Sequence, residues 1–441
     1  MPRLVRQMPN QRSARLRSAL LRGRQAVSRI SWTVIDQGLS ALTNLLLSVV
    51  VARSATASAF GAFAVAFLVY SLVLGFSRAL VGMPLQISFA SVTQEEFRNS
   101  AGHALGAAGV LGSIAALTTA VAGLAAGGQS GAALIALGVW FPALILQDTC
   151  RMAFFTEGTP KRATAIDSVW AVVVLGGFLA ALAAGVSDRV VIALTLWGFG
   201  AAVATLYGMV LLRVGPRMRG SLRWMRNRSH LSRYLGVEYL LTMGIAQAGI
   251  LMVGFVDTAG VGAIRAAQVL LGPTNVIGTA AMVFTTTEVA RRPTASAHHR
   301  SLMAAAVSGT LGVAIAAYVG FLLVLPGSWG EHLLGDTWTG AKSVMLPMCL
   351  AALAASLGAG PAATLYGMGL ARATFRLNVV RAALNIVLIA VGILTWGAIG
   401  AAWALAITEI VLLPLWFVRL RIALQTGERP TSDAQLERNE A

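Results

Sequence analysis

The sequence predicts an all-α membrane protein with about twelve transmembrane helices, and three observations lead to this fold class. The 441 residues are 57% hydrophobic and only 12% charged, which lies outside the range of soluble globular proteins. The apolar residues form runs of membrane length, and the positive charges alternate between the links that join those runs. Most of the chain is therefore expected to face lipid or other helices.

The apolar runs are long enough to cross a bilayer, because about 20 helical residues span a hydrocarbon core of about 30 Å. Backbone amides and carbonyls find no water there, so each run is expected to be a helix. Six runs precede a basic stretch and six follow it. They cover residues 30–52, 60–84, 101–126, 130–150, 165–187 and 190–213, then 234–256, 261–290, 301–325, 341–365, 376–396 and 398–418.

The same runs predict the domain organisation. Two six-helix bundles, 30–213 and 234–420, are joined by a basic connector at 214–233. A basic arm at 1–29 precedes them and a polar tail at 421–441 follows them. An even number of spans per bundle gives both bundles the same orientation in the membrane, so the two halves are expected to be related by a parallel pseudo-two-fold repeat around a central cavity.

The distribution of positive charge predicts the orientation. The N-terminal arm carries eight arginines and no acid, and the links on the opposite side of the membrane hold only Arg53, Arg189 and Lys342. Because Lys and Arg concentrate in cytoplasmic loops, both termini are expected in the cytoplasm. The charges behind the net charge of +17 lie in the links between the apolar runs, so nucleic acid is not an expected partner. Arginine far outnumbers lysine, which is typical of a GC-rich bacterial genome, and the expected location is the bacterial cytoplasmic membrane.

Two short segments recur in the two halves and support a duplication. Residues 60–62 begin the second span and 261–263 the eighth, with a glycine at the same place. The sequence Arg-Ala-Thr precedes the fifth span at 162–164 and the eleventh at 372–374. The recurrence occurs in the same order in both halves, which favours two related bundles.

Five segments, found in both halves, carry a resemblance to a known family. They are 37–53, the turn at 60–61, Arg78 before 83–85, the turn at Gly262 with Arg265, and 334–338. Over residues 30–421 the chain resembles the Wzx-type flippases of polysaccharide and lipid-linked oligosaccharide, in the multidrug/oligosaccharidyl-lipid/polysaccharide (MOP) exporter superfamily. The resemblance implies alternating access around a central cavity and a polyprenyl-diphosphate-linked glycan as substrate.

Three arginines are the candidates to bind the diphosphate of such a substrate: Arg78, Arg265 and Arg381. Ionisable side chains within spans are costly, so each is expected to face a cavity or a partner. A guanidinium offers a planar fork of donors that suits diphosphate oxygens. For Arg265 a structural pair with Asp257 is an equal alternative, and for Arg381 the alternative is an anchor that extends to the interface.

Other polar side chains in the spans form two groups. Amides are candidates to bind sugars, although such residues also join helices together; they are Gln37, Asn44 and Asn275. Acids are candidates to couple transport to H⁺ or Na⁺, although acids near helix N-termini are also favoured by the helix dipole; they are Asp36, Asp148, Glu238 and Glu409.

Three functions remain open on the sequence. The leading hypothesis is a flippase for a polyprenyl-diphosphate-linked oligosaccharide, with the bilayer and the glycosyltransferases or polymerase of the same pathway as partners. The alternatives are an ion-coupled multidrug antiporter and a non-transporting scaffold of a glycan-assembly complex. Neither a nucleotide-binding Gly-x-x-x-x-Gly-Lys-Ser/Thr loop nor metal-ligand spacing occurs, so we expect no enzyme and no cofactor beyond a coupling H⁺ or Na⁺.

Overall fold

The computed structural model describes residues 32, 35–36, 38–89, 92–186, 188–291 and 295–428. The predicted N-terminal arm, most of the polar tail and the candidate Gln37 lie outside the described residues. Within these residues the secondary structure is helical, without strands. The helices contact one another around a polar cavity, and their arrangement decides which of the predicted site residues meet there.

The N-terminal lobe contains the first six spans. Its helices are α1 (Gly38–Ser54), α2 (Ala57–Ser77), a π-helical segment π1 (Arg78–Gly82), α3 (Met83–Phe89), α4 (Gln94–Ala126), α5 (Gly128–Glu157), α6 (Pro160–Ala183) and α7 (Arg189–Leu212). The second span is continuous from α2 through π1 to α3. The largest fully buried side chains among the described residues belong to this lobe, including Phe60, Phe63 and Phe141.

The connector and the C-terminal lobe follow. They comprise α8 (Ser221–Asn227), α9 (Ser229–Tyr239), a second π-helical segment π2 (Leu240–Gly244), α10 (Ile245–Val253), α11 (Thr258–Leu270), α12 (Gly272–Arg291), α13 (Ala297–Leu323), α14 (Gly327–Leu334), α15 (Thr337–Gly367) and α16 (Ala371–Thr426). The seventh span runs from α9 through π2 to α10. We call the side of the membrane domain where α8 lies the connector side, and the opposite side the far side.

Twelve spans result from these helices. In the described part of the chain, nine segments are long and apolar enough to cross a membrane, and α11 with α12, bent by 55°, forms a tenth. The long α16 supplies both the eleventh and the twelfth spans, because its backbone leaves the helical conformation at Trp396 and Gly397. The shorter apolar helix α1 belongs to the first span. The predicted all-α, twelve-helix, two-lobe fold is confirmed.

Several helices extend beyond the predicted apolar runs, including α4 and α5 of the N-terminal lobe. α4 begins at Gln94 rather than near residue 101, and α5 continues to Glu157 rather than ending near residue 150. Apolar runs mark only the part of a helix that lies in hydrocarbon, whereas backbone hydrogen bonding continues through polar residues beyond it. The fourth predicted run, 130–150, therefore ends too early, since Arg151 also lies inside α5 and is buried.

The recurring glycines meet where the two lobes contact each other on the far side. A Cβ atom at Gly61 would lie 2.0 Å from the Thr258 carbonyl oxygen, and one at Gly262 would lie 3.0 Å from the Gly61 nitrogen. Only glycine permits backbones to approach this closely. The segment that recurs in both halves thus brings α2 and α11 together.

Replacing Gly61 with alanine is expected to destabilise this contact by about 1–3 kcal/mol, the usual cost of overpacking, because the added methyl group meets backbone. Thermal unfolding of the detergent-solubilised protein measures the loss. The matched control is Gly320→Ala in α13, where no atom lies within 4 Å of the added Cβ and helix propensity favours alanine. Equal stability of the two variants would contradict this packing.

Candidate functional site: a charged cavity between the lobes

A cavity of about 320 Å³ lies between the lobes, where the second and seventh spans face each other. Helices from both lobes form its wall, which combines aromatic rings with ionisable side chains and amides. The polar members are Ser40, Asn44, Tyr70, Ser71, Arg78, Gln147, Asp148, Arg151, Asp167, Tyr239 and Gln247. Ionisable side chains that converge on a cavity within the membrane mark it as the candidate functional site.

Arg78 is held in this wall by Asp148. The Nε and Nη2 atoms of Arg78 donate to the two oxygens of Asp148 at 2.8 and 2.5 Å. This two-point pairing fixes the plane of the guanidinium. The Arg78 side chain nevertheless keeps 35% of its surface exposed, and it lines the cavity. The predicted substrate-binding arginine and the predicted ion-coupling acid are thus partners.

Arg151 lies at the centre of a second set of contacts, one helical turn beyond Asp148 in α5. It donates to Asp36 through Nε at 2.9 Å and through Nη2. Its Nε atom also lies 3.1 Å from an oxygen of Asp167. Gln147 donates to the other oxygen of Asp167 at 2.7 Å. Together with the Arg78–Asp148 pair, these contacts join the first span, the second span, α5 and α6 through buried polar groups.

These five charged residues form what we call the N-lobe charge cluster: Asp36, Arg78, Asp148, Arg151 and Asp167. Two positive and three negative charges leave a formal charge of −1. Buried charges are tolerated only when paired and hydrogen-bonded. One oxygen of Asp36, Oδ1, is buried and has no hydrogen-bond partner in the described part of the chain. The cluster thus has unfilled capacity for a proton or cation.

Arg265 approaches the cavity from the C-terminal lobe. Its guanidinium lies over the ring of Phe67, 3.7 Å from the centroid, and Phe67 lines the cavity. Among the described residues no carboxylate pairs with Arg265, and its Nε atom is buried without a hydrogen-bond acceptor. The alternative pair with Asp257 is not formed, since Asp257 instead caps α11 by accepting from the Gly260 amide at 2.8 Å.

Two amides in the cavity wall also lack hydrogen-bond partners. The side-chain oxygens of Asn44 in α1 and Gln247 in α10 are buried and accept no hydrogen bond within the described structure. Both residues line the cavity, one from each lobe. Buried acceptors of this kind usually find a partner, because leaving them unpaired costs about 1–3 kcal/mol. A ligand with hydroxyl donors would satisfy both.

The remaining predicted site residues do not line this cavity. Arg381 donates to Glu409 at 3.0 Å, which joins the eleventh and twelfth spans within the C-terminal lobe. Asn275 is exposed in α12, and Glu238 is half-buried in α9. Their proposed roles in binding and coupling stay predictions.

Tyr239 closes the cavity against α2. Its hydroxyl donates to the Ser71 carbonyl at 3.1 Å, with the Leu72 carbonyl at 3.3 Å. A Cβ atom at Gly75 would lie 2.2 Å from the Tyr239 ring, so glycine is required for this approach. Nearer the connector side, Ser232 donates to the Leu80 carbonyl in π1 at 3.1 Å. Side chains of the seventh span therefore bond directly to the backbone of the second.

Replacing Tyr239 with phenylalanine is expected to loosen this closure, because it removes a hydrogen bond that contributes about 0.5–1.5 kcal/mol. The measurement is the rate at which a polar maleimide labels a cysteine placed at Ser40 in the cavity wall. We expect labelling to become about two- to tenfold faster, in line with that free energy. Tyr207→Phe on the exposed face of α7 is the control, and labelling unchanged by Tyr239→Phe would show that the hydroxyl does not hold the lobes together.

Arg151 and Gln147 are among the site residues that the sequence prediction missed. The available signal was spacing, since residues three apart on a helix share a face. Asp148 and Arg151 therefore point the same way from α5, and Gln147 adjoins them. Hydropathy obscured this signal by ending the fourth span before Arg151.

Comparison with known proteins identifies the fold. No family model and no curated protein matches the sequence. The inward closed conformation of the lipid II flippase MurJ matches with a TM-score of 0.70 and 12% identity, over 91% of this chain and 88% of that one. An inward-facing multidrug resistance MATE family transporter of the MOP superfamily matches with 0.65 and 14%, over 88% and 95%. The chain has the fold of these transporters.

A third match also shares the fold. It is a MOP superfamily transporter from Pyrococcus furiosus, described by a reverse polarity of its binding pocket, with a TM-score of 0.61, 16% identity and coverage of 91% of this chain and 95% of that one. At such identities the likeness extends to the fold alone. The chemistry of the pocket in this chain must be argued from its own residues.

Proposed function

We propose that this chain is a membrane transporter that flips a polyprenyl-diphosphate-linked oligosaccharide across a bacterial cytoplasmic membrane by alternating access. One observation carries the proposal: besides the Asp36 oxygen of the N-lobe charge cluster, a guanidinium donor and two amide oxygens in and beside the cavity have no hydrogen-bond partner among the described residues. The fold is one that flippases and drug transporters share, so this chemistry is what separates the candidate substrates.

The unsatisfied groups match a sugar diphosphate in both polarity and charge. The Arg265 Nε donor requires an acceptor, and phosphate oxygens are strong anionic acceptors. The oxygens of Asn44 and Gln247 require donors, and sugar hydroxyls supply them. A cationic drug would be repelled by the positive charge of the Arg265 guanidinium. Aromatic rings in the wall provide apolar surface between these polar groups; they belong to Phe67, Tyr70 and Trp170.

The cavity volume implies that this conformation is closed. About 320 Å³ lies at the lower end of the range for small-molecule sites, roughly 300–1,000 Å³. A diphosphate with its first sugar fits that space, whereas an oligosaccharide requires the lobes to separate. Tyr239 and Ser232 hold the lobes on the connector side, and Gly61 with Gly262 holds them on the far side, so alternating access would break one contact set at a time.

An ion-coupled multidrug antiporter is the second candidate, and the charge of −1 on the N-lobe charge cluster favours it. Under that proposal Asp36 and Asp148 bind H⁺ or Na⁺ in exchange for a cationic drug, and Glu409 is released from Arg381. Arg265 would then have no role in transport. The two proposals therefore make opposite predictions for this one arginine.

Direct binding distinguishes the candidates. The purified protein is titrated with a polyprenyl diphosphate and, separately, with ethidium as a cationic drug, with ligand-induced thermal stabilisation as the readout. We expect stabilisation by the lipid, competed by inorganic diphosphate, and none by the drug. Stabilisation by ethidium together with no response to the lipid would overturn the flippase proposal in favour of the antiporter.

A further inference from the structure

An apolar groove runs along the outside of the helical bundle, separate from the charged cavity. It encloses about 360 Å³ and is formed by the second, third, fourth and seventh spans. Leu72 and Phe76 of α2, Ile114 and Ala115 of α4, and Leu240 of π2 line it. Phe76, Ile114 and Leu240 are partly exposed, so the groove is open toward the hydrocarbon around the protein.

The groove and the charged cavity share a wall. Tyr239 lines both of them, and its ring lies against Gly75 of α2. On the same helix, Phe76 and Ser77 line the groove while Gly75 and Arg78 line the cavity. An apolar site and a charged site therefore lie side by side at one depth of the membrane, separated by one aromatic side chain and one turn of helix.

π-Helical backbone begins on both sides of the shared wall. Leu240, the residue after Tyr239, begins π2, and Arg78 begins π1 in the facing span. π-Helical turns are rare and occur frequently at functional sites. Both π-helical segments begin where the groove adjoins the cavity, which favours a functional role for this boundary.

We infer that the groove seats the hydrocarbon chain of the transported lipid while the anionic head of the same molecule occupies the charged cavity, with Tyr239 at the passage. This inference rests on the proposed function and names the part of the substrate that the cavity does not hold. A lipid whose head stays outside the cavity would contact the groove alone, whereas a ligand that places an anionic head in the cavity and its apolar chain in the groove fills both sites across one ring. The substrate chain is therefore the occupant that the shared wall favours.

Filling the groove without touching the cavity tests the inference. Ala115 lies in α4, a helix that contributes to the groove but not to the cavity. The variants Ala115→Leu and Ala115→Phe fill the groove in two steps, and Ala125→Phe, at an exposed position of the same helix, is the matched control. The probes are a long-chain polyprenyl diphosphate and inorganic diphosphate, and the reported quantity is the ratio of their affinities.

We expect Ala115→Phe to weaken the long-chain probe at least tenfold, Ala115→Leu to weaken it less, and neither to change the affinity for inorganic diphosphate. Ala125→Phe should bind both probes like the unmodified chain. If the long-chain probe binds the unmodified chain but both Ala115 variants leave its affinity unchanged, the groove inference is overturned while the proposed function stands. If the unmodified chain binds neither probe, the proposed function and the inference both fall.

Should Ala115→Phe fail to fold, Ala115→Leu decides alone, because its smaller side chain adds less volume to a position beside open space. A nitroxide-labelled phosphatidylcholine provides a further measurement in the same variants. If Ala115→Leu displaces this bulk lipid but not the polyprenyl diphosphate, the groove belongs to the surrounding bilayer and the inference is overturned.

Discussion

Replacing Arg265 with glutamine is expected to weaken binding of a polyprenyl diphosphate by about 10- to 100-fold, because a hydrogen bond to a charged group contributes about 1.5–3 kcal/mol. Arg265 has no carboxylate partner among the described residues, so its loss removes a cation without releasing a buried acid. Folding should therefore be retained while binding and transport fall. Binding is measured by titration in detergent and transport in reconstituted vesicles.

The matched control for this experiment is Arg53→Gln, which makes the same chemical change at an exposed position. Arg53 lies in the last turn of α1 and outside the cavity, so affinity and transport should stay at the level of the unmodified chain. A parallel loss in both variants would indicate a general effect of net charge. Full binding by Arg265→Gln would remove the main support for an anionic substrate.

Replacing Arg151 with methionine is expected to lower the free energy of unfolding by about 3–5 kcal/mol, the usual cost of breaking a buried ion pair from one side. The substitution leaves Asp36, which is fully buried, and Asp167 without their shared cation. Denaturant titration of the solubilised protein measures the loss. The same variant should bind ligand poorly only because less of it is folded.

Arg162→Gln is the control for Arg151→Met, since it also removes an arginine from an ion pair. Arg162 lies 3.2 Å from Glu157, but 47% of its side chain is exposed, and such surface pairs contribute about 0–1 kcal/mol. A clear difference between the two variants would establish that burial makes the Arg151 contacts matter. Similar small losses would mean that water reaches the N-lobe charge cluster.

The number and order of the spans could be predicted from the sequence because they depend on local properties. Hydropathy places each helix, and only an even number of spans accounts for the alternation that leaves Arg53, Arg189 and Lys342 alone in their links. The break at Trp396 and Gly397 between the last two spans also follows from a local signal, since Gly397 has a positive φ of 58° that favours glycine.

The pairing of charges could not be predicted, because it depends on how each helix is rotated within the bundle. Arg78 and Asp148 are 70 positions apart in the chain, and Arg151 and Asp36 are 115 apart. The sequence shows that each of these residues is charged. No sequence pattern states which helix faces meet. The stacking of Arg265 on Phe67 depends on the contact between lobes for the same reason.

Asn44 and Asn275 show the same limit in a single residue type. Both were predicted as sugar ligands because each is an amide within a span. The structure buries the oxygen of Asn44 in the cavity wall without a partner and leaves Asn275 exposed. Amide chemistry was visible in the sequence, whereas the direction of each side chain was decided by helix packing.

Translocation in reconstituted vesicles tests the central claim most directly. The protein is incorporated into liposomes with a fluorescent polyprenyl-diphosphate-linked glycan, and a membrane-impermeant quencher reports how much of the glycan has crossed. We expect the half of the glycan that the quencher cannot reach at first to become accessible with the unmodified chain and with Arg53→Gln, and we expect Arg265→Gln to slow this exchange at least tenfold. Translocation of the glycan no faster than in protein-free liposomes, with uptake of ethidium instead, would contradict it.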